Sequence, residues 1–164
     1  SLAIQEVVSR QDIGGVTIKW PNDIYVGDKK ICGMLIENSL SSGKVSTSII
    51  GIGLNLNQKS FPAELVNPTS VWLQKRETID PVSSLEEICR IFDRRLPSMA
   101  TPEGRDSMVE EYLGNLYRLG QWHDYRNLLT GEEVRCRILG ISPVGQLIVE
   151  DVSPVADQFP CVRG

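Results

Sequence analysis

The sequence predicts an α+β protein: a mixed or antiparallel sheet with helices, followed by a small all-β barrel. Three observations predict it. Apolar residues recur at helical spacing near the start and again in the middle of the chain. Between them, Val16–Trp20 and Ile50–Asn57 alternate with period two, as half-buried strands do. Beyond Gly120 the pattern breaks into short strands separated by turn residues, which suits a small barrel appended to a larger domain. The expected division is therefore residues 1–120 and residues 121–164.

Leu2, Ala3, Ile4 and Val7 make the apolar face of a first helix, which ends before Gly14-Gly15. Val16, Ile18 and Trp20 face the core of a strand, with Lys19 on its opposite face. Pro21-Asn22-Asp23 closes that strand with turn chemistry. Ile24–Val26 and Lys30–Glu37 read as two strands joined by a tight hairpin at Gly27-Asp28. Asn38–Lys44 is polar and reads as loop, and Val45–Asn57 as a long strand. Residues 58–82 carry Pro62, Pro68 and Pro81 and read as loop with one short helical turn. A capping box at Ser84 and Glu87 opens a helix with Leu85, Ile88, Cys89, Phe92 and Leu96 inward. Another helix covers Arg105–Tyr117. Glu133–Leu139 and Gln146–Val152 are the strands of the tail, and His123 falls in a polar linker.

The 164 residues carry 17 basic and 21 acidic side chains, for a net charge of −4. That balance argues against broad, non-specific nucleic-acid binding. The four cysteines, Cys32, Cys89, Cys136 and Cys161, form no C-x-x-C pair, and His123 is the sole histidine. No zinc site is expected from such a set, and the cysteine density is that of a protein kept reduced, pointing to the cytoplasm. No signal peptide and no apolar run of membrane-spanning length is visible, so no membrane association is expected. The chain starts with Ser1-Leu2 inside an apparent helix, and it reads as a fragment of something longer.

The most informative stretch is Ile50–Asn57. Ile50, Ile52, Leu54 and Leu56 form an apolar face, while Gly51, Gly53, Asn55 and Asn57 form the other. A flat ligand could lie on the two glycines and hydrogen-bond to Asn55. The alternative is that another backbone or helix packs there, and pattern alone favours it. Lys19 beside a proline-locked turn could bind an anion or could simply be a solvated strand end. Strict alternation puts Lys30 on the same side as Cys32 and Met34, where its ammonium needs an anion. Gly33, in mid-strand, weakens packing unless something approaches closely.

In order, KWPND (Lys19–Asp23), KKICGMLIE (Lys29–Glu37) and SIIGIGLNLN (Ser48–Asn57) resemble the adenylate-site segments of biotin–protein ligases. Asn67-Pro68-Thr69-Ser70 resembles the segment that follows. The stretch from Leu128 to Asp151 is similar to that family's C-terminal Src-homology-3-like module. The resemblance implies the C-terminal part of a class II synthetase-like catalytic domain, followed by that module. It also implies an ATP-dependent reaction that joins biotin to a lysine of a biotin carrier protein through biotinyl-5′-adenylate. ATP and biotin would be substrates and Mg2+ the accompanying ion. The partner would be a biotin carboxyl carrier protein or carboxylase subunit, as for a biotin–[acetyl-CoA-carboxylase] ligase. The resemblance leaves room for a homodimer, and for DNA binding only if a helix-turn-helix domain lies upstream.

By the same resemblance, Lys30 contacts the biotin carboxylate and the adenylate phosphate, and Lys19 lies near the phosphates. Asn22 and Asn55 contact the adenylate. Gly33, Gly51 and Gly53 wall the pocket, and Asp23 orients a metal or the acceptor lysine. One departure stands out. The family's Gly/Arg-rich adenylate loop, whose neighbours read the ureido ring, has no match in these residues. These 164 residues alone are therefore expected to be inactive. The rival functions are a lipoate–protein ligase or octanoyl transferase, and a non-catalytic binding module.

Overall fold

A computed structural model describes residues 1–127 and 130–152. Leu128, Leu129 and Cys161 lie outside the described residues, as does the end of the 121–164 stretch. The chain divides into two compact units, Ser1–Asn115 and Leu116–Gly164. Antiparallel sheets and helices make up the architecture, so the α+β class holds.

The first unit is built on a four-stranded antiparallel sheet in the order β1-β2-β3-β4: Val16–Lys19, Asp23–Val26, Lys29–Ser41 and Lys44–Leu54. Its helices are α1 (Leu2–Ser9), α2 (Val71–Lys75), α3 (Pro81–Arg95) and α4 (Pro102–Gly114), with a 3-10 turn at Leu96–Ala100. Leu2, Ala3, Ile4, Val7 and Val8 bury one side of α1. They join Val16, Ile18, Ile24, Val26, Ile31, Cys32 and Met34 from the sheet, and Ile88 and Ile91 from α3, in one core.

Several expectations are corrected. Residues 38–44 are not a loop. Strands β3 and β4 pair from Cys32↔Leu54 out to Ser41↔Lys44, with one register shift at Ser39/Leu40, and Ser42-Gly43 make the turn, both at positive φ. This outer hairpin is solvated on both sides, so its polar residues carry no apolar alternation to mark them as strand. Helix α3 starts earlier than the Ser84–Glu87 capping box. Asp80 caps it, accepting from the Ser83 N–H at 2.9 Å, and Pro81 occupies its first turn. Its buried side is Ser84, Ile88 and Ile91. Leu85 and Phe92 instead face an open apolar groove that they share with Ile4, Met34, Ile36, Ile50 and Ile52. The expected core face of β4 is thus only partly closed. Helix α4 likewise starts at Pro102, capped by Thr101.

An ion-pair network ties the helices together. The Arg95 guanidinium donates to Glu6 on α1 and, through both terminal nitrogens at 2.7 Å, to Glu111 on α4. Arg10 and Arg94 also pair with Glu6.

The second unit is a three-stranded antiparallel sheet, β5-β6-β7: Trp122–Arg126, Glu133–Ile141 and Leu147–Asp151. It is all-β as expected, and open rather than closed among the described strands. His123 sits on β5, opposite Cys136, and not in a linker. No helix among the described residues is long and apolar enough to cross a membrane.

Candidate functional site

The site lies on the sheet face of the first unit opposite the core. Register decides which residues share that face. Lys19 is opposite Asp23, and Thr17 opposite Tyr25. Asp23 is opposite Gly33, and Tyr25 opposite Lys30. Gly33 is opposite Gly53, and Leu35 opposite Gly51. Cross-strand partners point the same way, so Lys19, Asp23, Tyr25, Lys30, Gly33, Gly51 and Gly53 lie on one face.

That set includes a correction. Alternation placed Lys30 with Cys32 and Met34 on the core side. Between Ile24 and Tyr25 the register shifts, and Ile31 is the extra residue of a β-bulge. Ile31 and Cys32 are both fully buried, which strict alternation forbids. The bulge flips Lys30 to the open face, away from the core.

Lys30 is fixed through its backbone on both sides. Its N–H donates to the Asn67 carbonyl and its carbonyl accepts from the Thr69 N–H, each at 2.8 Å. Segment 67–69 thus adds a parallel bridge at this residue. Ser70 holds that segment in place: its hydroxyl donates to the Gln58 carbonyl at 2.6 Å and caps α2 by accepting from the Leu73 N–H. The Lys30 ammonium pairs with Asp23 at 2.7 Å; the two side chains are 40% and 24% exposed. A pair this open to water contributes only about 0–1 kcal/mol, so an incoming anion can displace the carboxylate at little cost. Lys19 Nζ lies 5.1 Å from the centre of the Tyr25 ring and donates to its hydroxyl at 3.4 Å.

The glycines form a bare floor beside these charges. A methyl group at Gly51 would meet only Leu35, at 3.9 Å, and one at Gly53 only the Gly33 carbonyl, at 3.5 Å. Among the described residues, then, no helix or second backbone packs on them. Both glycines are exposed.

The two asparagines are engaged with backbone. The Asn22 amide donates to the Met34 carbonyl, while the Asn22 carbonyl accepts from the Met34 N–H. Asn55 Nδ2 donates to the Thr69 carbonyl at 3.0 Å, and the Asn55 N–H donates to the Ile31 carbonyl. Each shapes the site by holding strand ends, and each keeps a side-chain oxygen as acceptor. The Trp20–Pro21 peptide bond is cis, and the Tyr112 hydroxyl donates to the Pro21 carbonyl at 3.4 Å. Burial pushes the Tyr112 phenol up to about 12, so it stays a donor. Burial likewise pushes the Cys32 thiol up to about 12, which makes it an unreactive core group.

Reasoning from sequence missed Tyr25, the Ile31 bulge and the anchoring of Lys30 by Asn67 and Thr69. The Asn-Pro-Thr-Ser run was the available signal for the last of these.

A family model described as the biotin/lipoate A/B protein ligase family matches residues 2–55. The bifunctional ligase/repressor BirA of Bacillus spizizenii is 34% identical over 141 residues, covering 81% of this chain and 41% of that protein. The BirA of Bacillus subtilis is 32% identical, covering 90% of this chain and 46% of that protein. The chain belongs to the biotin–protein ligase family. It spans less than half the length of these curated relatives. The biotin protein ligase of Aquifex aeolicus shares the fold, with a TM-score of 0.72 at 22% identity, over 99% of this chain and 71% of that one. The same enzyme in complex with biotin and ATP superimposes with a TM-score of 0.72 at 21% identity, over 99% of this chain and 68% of that one. The stretch matched by the biotin/lipoate ligase model holds Lys19, Asp23, Lys30 and all three floor glycines.

Proposed function

We propose that this face serves the ATP-dependent attachment of biotin to a lysine of a carrier protein, with Lys30 and Lys19 as its working cations. One observation carries the reading: two lysines stand on the same sheet face as Gly51 and Gly53, on which no other part of the described residues packs. In the first step a biotin carboxylate oxygen attacks the α-phosphorus of ATP. Biotinyl-5′-adenylate forms and pyrophosphate leaves. Both reactants are anions, and fixed positive charge offsets their repulsion as they meet. Lys30, displaced from Asp23, contacts the carboxylate and then the adenylate phosphate, while Lys19 stands by the phosphates. Gly51 and Gly53 let the flat adenylate lie close to the strands, Gly33 completes that wall beneath the Lys30 side chain, and Asn22 and Asn55 offer their side-chain oxygens. In the second step the amine of the carrier lysine attacks the mixed-anhydride carbonyl and AMP leaves. Asp23, once parted from Lys30, orients that amine.

Magnesium would arrive with the ATP phosphates. Among the described residues no group of three or more His, Cys, Asp and Glu side chains could hold a metal ion. The carboxylate at the site, Asp23, is paired with Lys30. The described residues thus offer no cage for the ion, and no step here is assigned to it.

In this reading the first unit belongs to the C-terminal part of the catalytic domain and the second to the Src-homology-3-like module. The carrier is a biotin carboxyl carrier protein or carboxylase subunit, met in the cytoplasm. These 164 residues alone lack a Gly/Arg-rich loop and should release pyrophosphate from ATP and biotin far more slowly than the family does. The test of the reading is carrier labelling by the protein as the cell makes it, with biotin and lipoate supplied separately. Biotin transfer supports it, and lipoate transfer without biotin transfer overturns it.

A further inference from the structure

Gly33 stands out from the other two floor glycines. A methyl group there would sit 2.9 Å from both Cε and Nζ of Lys30 and 3.3 Å from Asp23 Oδ1. Every one of these atoms belongs to the end of a polar side chain, and none is backbone. The lysine therefore crosses directly over the bare Cα of Gly33 to reach Asp23. Its route exists only because the Ile31 bulge puts Lys30 and Gly33, three residues apart in sequence, on one face. Strict alternation would put them on opposite faces.

We propose that Gly33 is a positioning residue for Lys30: the missing side chain at Gly33 opens the path that holds the Lys30 ammonium against Asp23, over the glycine floor. This deepens the proposed ligase reading and rests on it. Before ligand binds, Asp23 holds the ammonium in place. When an anion replaces Asp23, the ammonium need move only a short way, because the path over Gly33 stays clear. A side chain at this position would lift the lysine off the floor and leave the fold intact, since the atoms in its way are the mobile end of a lysine.

This predicts a specific phenotype for Gly33→Ala. Thermal unfolding should match that of Gly14→Ala, a control at a position where an added methyl group meets nothing within 4 Å. In a crystal structure of the variant, the Lys30–Asp23 pair should be broken. In the protein as the cell makes it, kcat for biotinyl-adenylate formation should fall at least about tenfold, because misplacing a catalytic group by about 1 Å can cost on the order of a hundredfold. A rise in the KM for biotin or ATP with kcat unchanged would mean that Gly33 only lines the pocket, and would overturn the proposal. Retention of the Lys30–Asp23 pair in the variant would also overturn it. A broken pair with kcat and KM both unchanged would instead refute the role given to Lys30 in adenylation, and Gly33 would still be what positions the lysine.

Discussion

Arg95→Ala is predicted to weaken the first unit by about 2 kcal/mol. Arg95 bridges α1, α3 and α4 through Glu6 and Glu111. Its side chain and that of Glu6 are each 18% exposed, and Glu111 is 39% exposed. A hydrogen bond to a charged group contributes roughly 1.5–3 kcal/mol where water is excluded, whereas exposed ion pairs give about 0–1 kcal/mol. Glu6 keeps Arg10 and Arg94 in the variant, and the Glu111 pair must be discounted for solvent. The sum is about 2 kcal/mol, or roughly 5–10 °C in Tm for a unit of this size. The effect depends on pH. Burial alone would raise the Glu6 carboxyl, but hydrogen bonds from Arg94 and Arg95 outweigh it and hold the carboxyl below its usual range. The Arg95 hydrogen bonds do the same to Glu111 against a smaller burial effect. A carboxyl whose pKa is depressed on folding stabilises fully above its unfolded pKa, and that stability is lost as pH falls through the folded value. The difference between wild type and variant should therefore be full at pH 7 and shrink below about pH 4. Calorimetry across pH checks it. A loss under about 0.5 kcal/mol at pH 7, or a loss independent of pH, would refute the reasoning.

Other consequences can be checked more simply. Ser70→Ala removes the α2 cap and leaves the Gln58 carbonyl unpaired, and should cost about 1–2 kcal/mol in urea unfolding. Because Ser70 holds the segment that pins Lys30, the same variant should also slow adenylate formation. Asn57→Ala removes both hydrogen bonds that clamp the Ile79 backbone, and a loss of about 1–2 kcal/mol is expected by the same measurement. Site-resolved mass spectrometry after brief alkylation at neutral pH should find Cys89 modified. Cys32 and Cys136, buried and with raised thiols, should stay unmodified until the protein unfolds.

Much of the fold could be read from periodicity. Helix α1 and strand β1 follow from the spacing of Leu2, Ile4 and Val7 and of Val16 and Ile18, because each buries one face. The errors share a physical cause. Strand β5 and the outer half of the β3–β4 hairpin lack a continuous buried face, so their residues carry no alternation to read. The start of α3 depended on Asp80-Pro81, a capping pair overshadowed by a Ser/Glu spacing that also fits a cap. For the site, residue types were legible but one orientation was not. A β-bulge leaves little mark in a single sequence, and the one at Ile31 decides where Lys30 points. The glycine face was legible as a choice between ligand and packing. Coordinates were needed to show that among the described residues nothing packs on Gly51 and Gly53.

In the proposed reaction Lys30, set by its bulge above a glycine floor, supplies the positive charge for joining biotin to AMP. Biotin-dependent exchange of labelled pyrophosphate into ATP, measured on the protein as the cell makes it and on its Lys30→Ala variant, tests this most directly. Exchange should require biotin and fall by about a hundredfold or more in the variant, the cost of removing a principal transition-state charge contact. Exchange that proceeds without biotin, or a correctly folded variant within about threefold of wild type, would contradict it.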